Sequence, residues 1–355
     1  MKEGLLRMNY SRFFSQSARI VLSATIACSV LAGCAGAPEA SPSTRGEGSS
    51  GGTEASAQLA AAPGDEAFLS FEDDTDRLIT LKQQPKRIVV LSPQLLDLFY
   101  EVGGEAVART TTPGVQPPEQ ARELDNVGGM TSVNTEKLLS LKPDLVIGSP
   151  SFHRNLTELL AASDVPFAMF QLGTYKDLQD KARLLGQIAG SGSTADERLA
   201  QLEERIRQLE SQVPADRKVR FAMLNVTPSS VSVQRTNTIG LEVAGMLRME
   251  NVAEVLEPSQ NSATTAPYSL EKLVELDPDY IFILIHGAQE AGLKKLESEL
   301  AAQPAWNSLK AVRDKRMTVL PSNLFLSNPG FALDQSVDYL ARLVYPEIFG
   351  DAKSK

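Results

Sequence analysis

The sequence predicts an α/β protein of two similar lobes with parallel sheets, joined by one long interlobe helix. Short, unbroken apolar runs alternate with helical patterns. One helix–turn–strand unit occurs twice, and a single long amphipathic helix lies between the two copies. The apolar runs at 87–91, 145–147 and 167–170 have the form of strands buried on both faces, and helical patterns at 136–141 and 156–162 separate them. A small hairpin is predicted over 68–81, around Glu72, Asp73 and Asp74. The pattern restarts at 219–226, continues through a helix over 239–247 and reaches a strand at 280–285.

The repeat is explicit. Residues 135–144 read Thr-Glu-Lys-Leu-Leu-Ser-Leu-Lys-Pro-Asp and lead into the strand at Leu145; residues 270–279 read Leu-Glu-Lys-Leu-Val-Glu-Leu-Asp-Pro-Asp and lead into Tyr280. Two such units at this separation imply two related lobes. Between them, Leu199, Leu202, Ile206, Leu209 and Val213 make a narrow apolar stripe that Pro214 closes. Thr194 and Glu197 have capping-box spacing, and Glu203 and Arg207 the spacing of a helical ion pair. The stripe is too short for a coiled-coil seam, so packing along both lobes is the expectation.

The amino-terminal residues point to a compartment. Lys2, Arg7, Arg12 and Arg19 precede an apolar or small run over 20–33. That run is shorter than the roughly 20 residues a membrane-spanning helix needs and has the layout of a secretory signal. It ends Leu-Ala-Gly-Cys at Cys34, which resembles the lipobox of bacterial lipoproteins and implies acylation of Cys34. Of the two cysteines, Cys28 lies in the segment to be removed, so no internal disulfide is expected and a packed core must supply stability. Residues 34–66, rich in Gly, Ser, Ala, Pro, Thr and Glu, read as a flexible tether. The resulting division is a lipoprotein signal peptide (1–33), tether (34–66), amino-terminal lobe (67–192), connecting helix (193–214), carboxyl-terminal lobe (215–347) and tail (348–355). A net charge of −9 argues against a nucleic-acid partner. The chain is expected outside the cytoplasm, held to the cell membrane only through lipid on Cys34, and monomeric.

Signal, repeat and connecting helix together resemble the iron-complex/vitamin B12 class of periplasmic binding proteins of ABC importers, over residues 85–346. The telling segments are 85–93 (Pro-Lys-Arg-Ile-Val-Val-Leu-Ser-Pro), 127–129 (Val-Gly-Gly), 141–147, Pro304-Ala305-Trp306 and Asn328-Pro329-Gly330. The resemblance implies a ligand cleft between the lobes at the carboxyl ends of the strands, small closure about the rigid helix, and an ABC permease with its ATPase as partners. In that family one glutamate on each lobe docks on permease arginines, and Glu136 and Glu271 occupy the matching positions. A carboxylate there also favours the helix start.

The same resemblance bears on the ligand. Leu284-Ile285-His286-Gly287 is similar to the segment carrying the axial histidine of Gram-positive haem-receptor lipoproteins, whose iron is completed by a methionine of the first lobe. Met130 lies in the corresponding loop, one residue earlier relative to Glu136 than the family's methionine; otherwise it is a gap-filler. His153, the second histidine, is either structural or at the cleft mouth. Arg109 and Arg235 could clamp a ligand carboxylate, Tyr175 and Tyr268 could ligate iron or stack, and Ser92, Ser149 and the loop 321–328 lie where cleft walls are expected. Trp306 reads as core. Haem leads as the ligand, followed by a ferric siderophore and then cobalamin. The iron complex is transported, with no catalytic cofactor. An enzyme is not expected: the sequence has no Gly-x-Ser-x-Gly, Gly-Lys-Ser/Thr or His-Glu-x-x-His motif. Two histidines are also few for a bare divalent-metal receptor.

Overall fold

A computed structural model describes residues 67–112, 115–298 and 303–352. The expected signal, Cys34 and the tether lie outside them.

The chain opens with an antiparallel hairpin, β1 (Leu69–Glu72) and β2 (Leu78–Leu81). The first lobe continues through β3 (Ile88–Val90), α1 (Pro93–Glu101), β4 (Ala108–Thr111), β5 (Asp125–Gly129), β6 (Ser132–Val133), α2 (Thr135–Ser140), β7 (Leu145–Gly148), α3 (Pro150–His153), α4 (Thr157–Ala162), β8 (Phe167–Met169) and α5 (Tyr175–Ala189). Helix α6 (Gly192–Glu210) follows. The second lobe comprises β9 (Val219–Val226), β10 (Val231–Gln234), α7 (Ile239–Met246), β11 (Met249–Asn251), β12 (Thr265–Pro267), α8 (Leu270–Leu276), β13 (Tyr280–Ile285), α9 (Gln289–Leu296), α10 (Lys310–Arg313), β14 (Met317–Val319), α11 (Ser322–Phe325), α12 (Leu333–Val344) and α13 (Pro346–Phe349).

The first sheet has the order β6-β5-β4-β3-β7-β8, and the second β12-β10-β9-β13-β14 with β11 beside β9. The central pairs are parallel, as the unbroken apolar runs predict. The sheets are nonetheless mixed: β6 runs antiparallel to β5, and β10 antiparallel to both β9 and β12. These antiparallel strands are short and carry Ser, Thr, Gln or Pro among their residues, so no apolar run marks them in the sequence.

Alternate residues of each central strand enter different cores. Ile88 and Val90 face the main core, Val89 and Leu91 the outer core of the first lobe; Phe221 and Met223 face the main core, Ala222 and Leu224 the outer core of the second. The main core is continuous between lobes. It takes Leu96 and Phe99 of α1, Leu199, Leu202 and Ile206 of α6, and Leu340 and Tyr345 from the chain's end. Helix α6 is therefore a shared wall, not a free strut.

The repeat extends to hydrogen bonds that its residue identities do not announce. Asp144 accepts the backbone N–H of Arg87 at 2.7 Å, and Asp279 that of Arg220 at 3.0 Å. The Arg87 guanidinium caps Leu141 O at the end of α2 (2.6 Å), and Arg220 caps Leu276 O at the end of α8 (2.8 Å). Lys142 (φ 47°) and Asp277 (φ 36°), each just before the Pro-Asp pair, both take the left-handed conformation. One capped helix-to-strand turn is thus built twice.

Two local expectations need correction. Helix α6 starts at Gly192, before Thr194, and the capping box belongs to α5, where Thr174 and Asp177 satisfy each other's backbone N–H groups. Arg207 pairs with Glu204 instead of Glu203, whose carboxylate takes Gln179 at 2.8 Å. The lobes also meet at the start of α5. Glu242 of α7 accepts the Tyr175 N–H at 2.5 Å, and the Asn328 amide donates to Thr174 O at 2.8 Å.

On α1, Asp97 lies one turn before Glu101, which Arg198 approaches at 3.4 Å. Burial, followed by repulsion from Glu101, pushes the Asp97 carboxyl up to about 6. An acid with a raised folded-state pKa binds its proton more tightly folded than unfolded. Stability is therefore lost as pH rises from about 4 to about 6 and stays level above. Asp97→Asn is expected to raise stability at pH 7, by about 1 kcal/mol once solvent screening of the partly exposed carboxyl is allowed for, and to change nothing below about pH 4. Urea melts at both pH values check this.

Candidate functional site: the carboxyl ends of two parallel sheets

Parallel strands bring their carboxyl ends to one edge. In the first lobe this edge carries Ser92 after β3, Thr112 after β4, Met130 after β5, Ser149 after β7 and Gln171 after β8. In the second it carries Thr227 after β9 and His286 after β13. Met130 and His286 thus each follow the carboxyl end of a strand, one in each lobe, although β13 corresponds in the repeat to β7 and not to β5.

Met130 sits with Thr131 at the tip of the β5–β6 hairpin, where Gly129 opposes Ser132. Gly128, at φ 108°, makes the tight approach possible, since a Cβ there would lie 2.6 Å from Ser132 O. The hairpin is pinned on both sides: Met130 N–H donates to Thr111 O at 3.0 Å, and Met130 O lies 2.8 Å from His153 Nε2. His153 is only 1% exposed. Its Nδ1 accepts the Ser149 N–H at 2.9 Å, so its proton must be on Nε2. Burial holds its pKa below the ordinary value against the opposing pull of the Met130 and Ser149 contacts. With both nitrogens engaged inside the protein, His153 is not at the mouth as a ligand contact.

His286 is half-buried. Its backbone N–H extends the β9–β13 ladder to Val226 O at 2.8 Å, and its Nε2 is 3.4 Å from Asn225 Oδ1. Asn225 Oδ1 is held by Gln234 Nε2 at 3.0 Å, and Gln234 Oε1 by the Thr238 hydroxyl at 2.6 Å. A fixed chain of side chains thus backs the imidazole. Burial lowers its pKa, which keeps it neutral at pH 7.

Other candidates are used differently. The Arg109 guanidinium donates to Ala121 O (2.7 Å) and Arg122 O (3.0 Å), clamping the turn before β5. Arg235 donates to Leu256 O (2.6 Å) and Ala263 O (3.4 Å). Both satisfy loop carbonyls instead of being offered to a ligand carboxylate, because half-buried carbonyls need donors. The Tyr175 side chain packs on the main core. Its phenol is pushed up to about 12, first by burial and then by Glu203 and Glu210 of α6, so it faces the connecting helix and is a poor iron ligand. Tyr268 packs against the outer core of the second lobe, where Trp306 is buried as expected. Ser92 is buried at the start of α1, and Ser149 caps α3.

Sequence reading missed Phe152. It is 48% exposed, and its ring lies edge-on to His153 at 6.3 Å. Successive residues of a helical turn point about 100° apart, so an inward His153 turns Phe152 outward. The only sequence signal is an aromatic beside a histidine just after a strand.

Glu136 and Glu271 are each the second residue of a helix, after side-chain caps by Asn134 and Ser269, and both are exposed. Their neighbouring lysines are engaged elsewhere, Lys137 with Asp125 at 3.1 Å and Lys272 with Glu275 at 2.8 Å.

The model of the periplasmic binding protein family matches residues 88–324. The chain belongs to that family. The Bacillus subtilis (strain 168) uncharacterized ABC transporter substrate-binding lipoprotein YvrC is 23% identical over 289 residues, 79% of this chain and 87% of that protein. The fold matches Staphylococcus aureus SirA complexed with staphyloferrin B at a TM-score of 0.65, with 19% identity, over 78% of this chain and 98% of SirA. It matches S. aureus IsdE complexed with heme at 0.64, with 19% identity, over 73% of this chain and 98% of IsdE.

Proposed function

We propose that this chain is the substrate-binding lipoprotein of an ABC importer, anchored at Cys34, and that it carries haem between its lobes. The observation that supports the haem reading is that Met130 and His286 each follow the carboxyl end of a strand, one in each lobe. Each is backed by its own hydrogen-bonded support. A neutral imidazole and a thioether form an iron pair that favours the reduced metal. Phe152 supplies an exposed ring beside the methionine hairpin. The likeness to IsdE and to a lipoprotein relative supports the reading.

A ferric siderophore is the second reading, favoured by the hydroxyl-rich strand ends at Ser92, Thr112, Ser149 and Thr227 and by the likeness to SirA. Cobalamin comes third. Haemin titration followed by absorbance, run beside a panel of ferric siderophores, separates them. Saturable haemin binding with a shifted Soret band supports haem, whereas tryptophan quenching by one siderophore without that shift overturns it.

Glu136 and Glu271 are the proposed permease contacts. Exposed ion pairs are weak, roughly 0.2–1 kcal/mol each, so either glutamate changed to alanine is expected to lower uptake only about two- to fivefold. Reversing both to lysine turns attraction into repulsion worth several kcal/mol. Uptake in that double variant is expected to fall to background while ligand affinity stays unchanged. Loss of ligand affinity in the double variant would refute the docking role.

A further inference from the structure

We infer that His153 is the positioning residue for Met130, which it holds so that the thioether is presented to the ligand; the ligand part of this inference rests on the haem reading. The argument starts from valence. The Ser149 N–H can only donate, so the Nδ1 it meets at 2.9 Å must carry a lone pair. The neutral ring then has its proton on Nε2, aimed at Met130 O at 2.8 Å, where it donates. The tautomer is fixed by the backbone of the turn after β7, and the ring transmits that choice to the hairpin after β5.

The ring has no room to choose otherwise. A Cβ on Gly148 would come within 3.2 Å of His153 Nδ1 and 2.9 Å of the Phe167 ring. Glycine at 148 therefore leaves space for imidazole and nothing more. With Thr111 O taking the Met130 N–H at 3.0 Å, both polar groups of the Met130 backbone are tied, one to each flanking loop. What stays free to meet a ligand is the side chain. A methionine with three rotatable bonds is an adaptable group, and fixing its backbone removes a large part of the disorder that ligation would otherwise have to remove.

The test uses the full chain with 13C-methyl-labelled methionine, the Met130 signal among the eight methionines being assigned with Met130→Leu. His153→Leu keeps an apolar fill and removes both hydrogen bonds. His153→Gln can accept from Ser149 and donate to Met130. The expected result, without ligand, is a Met130 methyl resonance that moves to the position of a free side chain in His153→Leu and returns in His153→Gln. Haemin affinity is expected to fall about 10–100-fold in His153→Leu, the usual effect of removing support from an iron ligand, and to recover in His153→Gln. A folded His153→Leu with an unmoved Met130 resonance overturns the inference. If His153→Leu does not fold, a folded His153→Gln that displaces the Met130 signal overturns it equally, and one that keeps the signal supports it. Absence of haemin binding by the unaltered chain overturns the haem reading alone, because the resonance still reports the positioning.

Discussion

Haemin added to the Met130→Ala/His286→Ala double variant is expected to give no shifted Soret band, with affinity at least about 100-fold below that of the unaltered chain, or about 2.7 kcal/mol. The two single variants should differ in kind. His286 is neutral at pH 7 because burial lowers its pKa, so no proton has to leave before the ring meets iron, and acid should compete only below the ordinary value of 6.5. Removing it takes away the imidazole and with it most of the spectral shift. Met130→Ala should keep a shifted band but lower the reduction potential of the bound haem, since a thioether favours the reduced iron. Haemin affinity and spectrum that survive the double change would leave the hydroxyl-rich strand ends and Phe152 as the binding surface. The iron-ligation reading would then be wrong.

The repeat was legible because it is written in residue identity. Glu-Lys-Leu and Pro-Asp recur at one spacing, and the strands that follow at Leu145 and Tyr280 are unbroken apolar runs. From these, two lobes, the central strands and the exposure of Glu136 and Glu271 follow. The candidate site was legible only in part. Its position follows from parallel strands ending together, and Met130 and His286 lie at such ends. The uses of Arg109, Arg235 and Tyr175 do not follow. An arginine near a strand end reads alike whether it meets a ligand carboxylate or the carbonyl of Ala121 or Leu256. What decides is which loop folds over it, and loops 112–124 and 256–264 carry no periodicity. The place of Tyr175 is hidden for a related reason: the cap at Thr174–Asp177 begins a helix whose first residue turns toward α6, and only the packed structure brings Glu203 and Glu210 to its ring. His153 looked ambiguous because a histidine's role depends on the partners of both its nitrogens. Neither Ser149 N–H nor Met130 O has a side-chain signature.

The continuous core adds a constraint on motion. Helix α6 shares one apolar cluster with α1 and α5 on one side and with α7 and α12 on the other. Opening the lobes widely would separate Leu199, Leu202 and Ile206 from one of their partners. The start of α5 is pinned from the second lobe as well, by Glu242 and Asn328. The shared core and these two contacts oppose wide opening of the lobes.

Asp73→Ala is expected to cost about 3–5 kcal/mol of folding stability, the usual effect of breaking a buried charge pair by removing one partner. The Asp73 carboxylate is fully buried, and every donor around it would be orphaned. Oδ1 accepts the Thr75 N–H at 2.9 Å and the Thr75 hydroxyl at 2.6 Å; Oδ2 accepts the Arg77 guanidinium at 2.6 Å and the Met169 N–H at 3.0 Å. Burial alone would raise its pKa, but Arg77, Thr75 and the Met169 N–H outweigh it and hold it below the ordinary 3.8. A depressed acid contributes stability that is present above its unfolded pKa and lost as pH falls through the folded one. The unaltered chain should therefore lose this contribution below about pH 4, while Asp73→Ala lacks it throughout. Asparagine is no remedy, because its amide nitrogen would face donors on Arg77 or Met169. Urea unfolding that shows a lower midpoint with an unchanged slope checks the magnitude. A shift worth under about 1 kcal/mol would mean that water replaces the lost acceptor and that the hairpin is loosely held. The contact matters beyond stability, since it joins the β1–β2 hairpin to Met169 of β8. Asp74 continues it by accepting the Gln171 N–H at 2.7 Å. The start of the described chain is thereby fixed to β8, the edge strand at the opposite end of the first sheet from the Met130 hairpin.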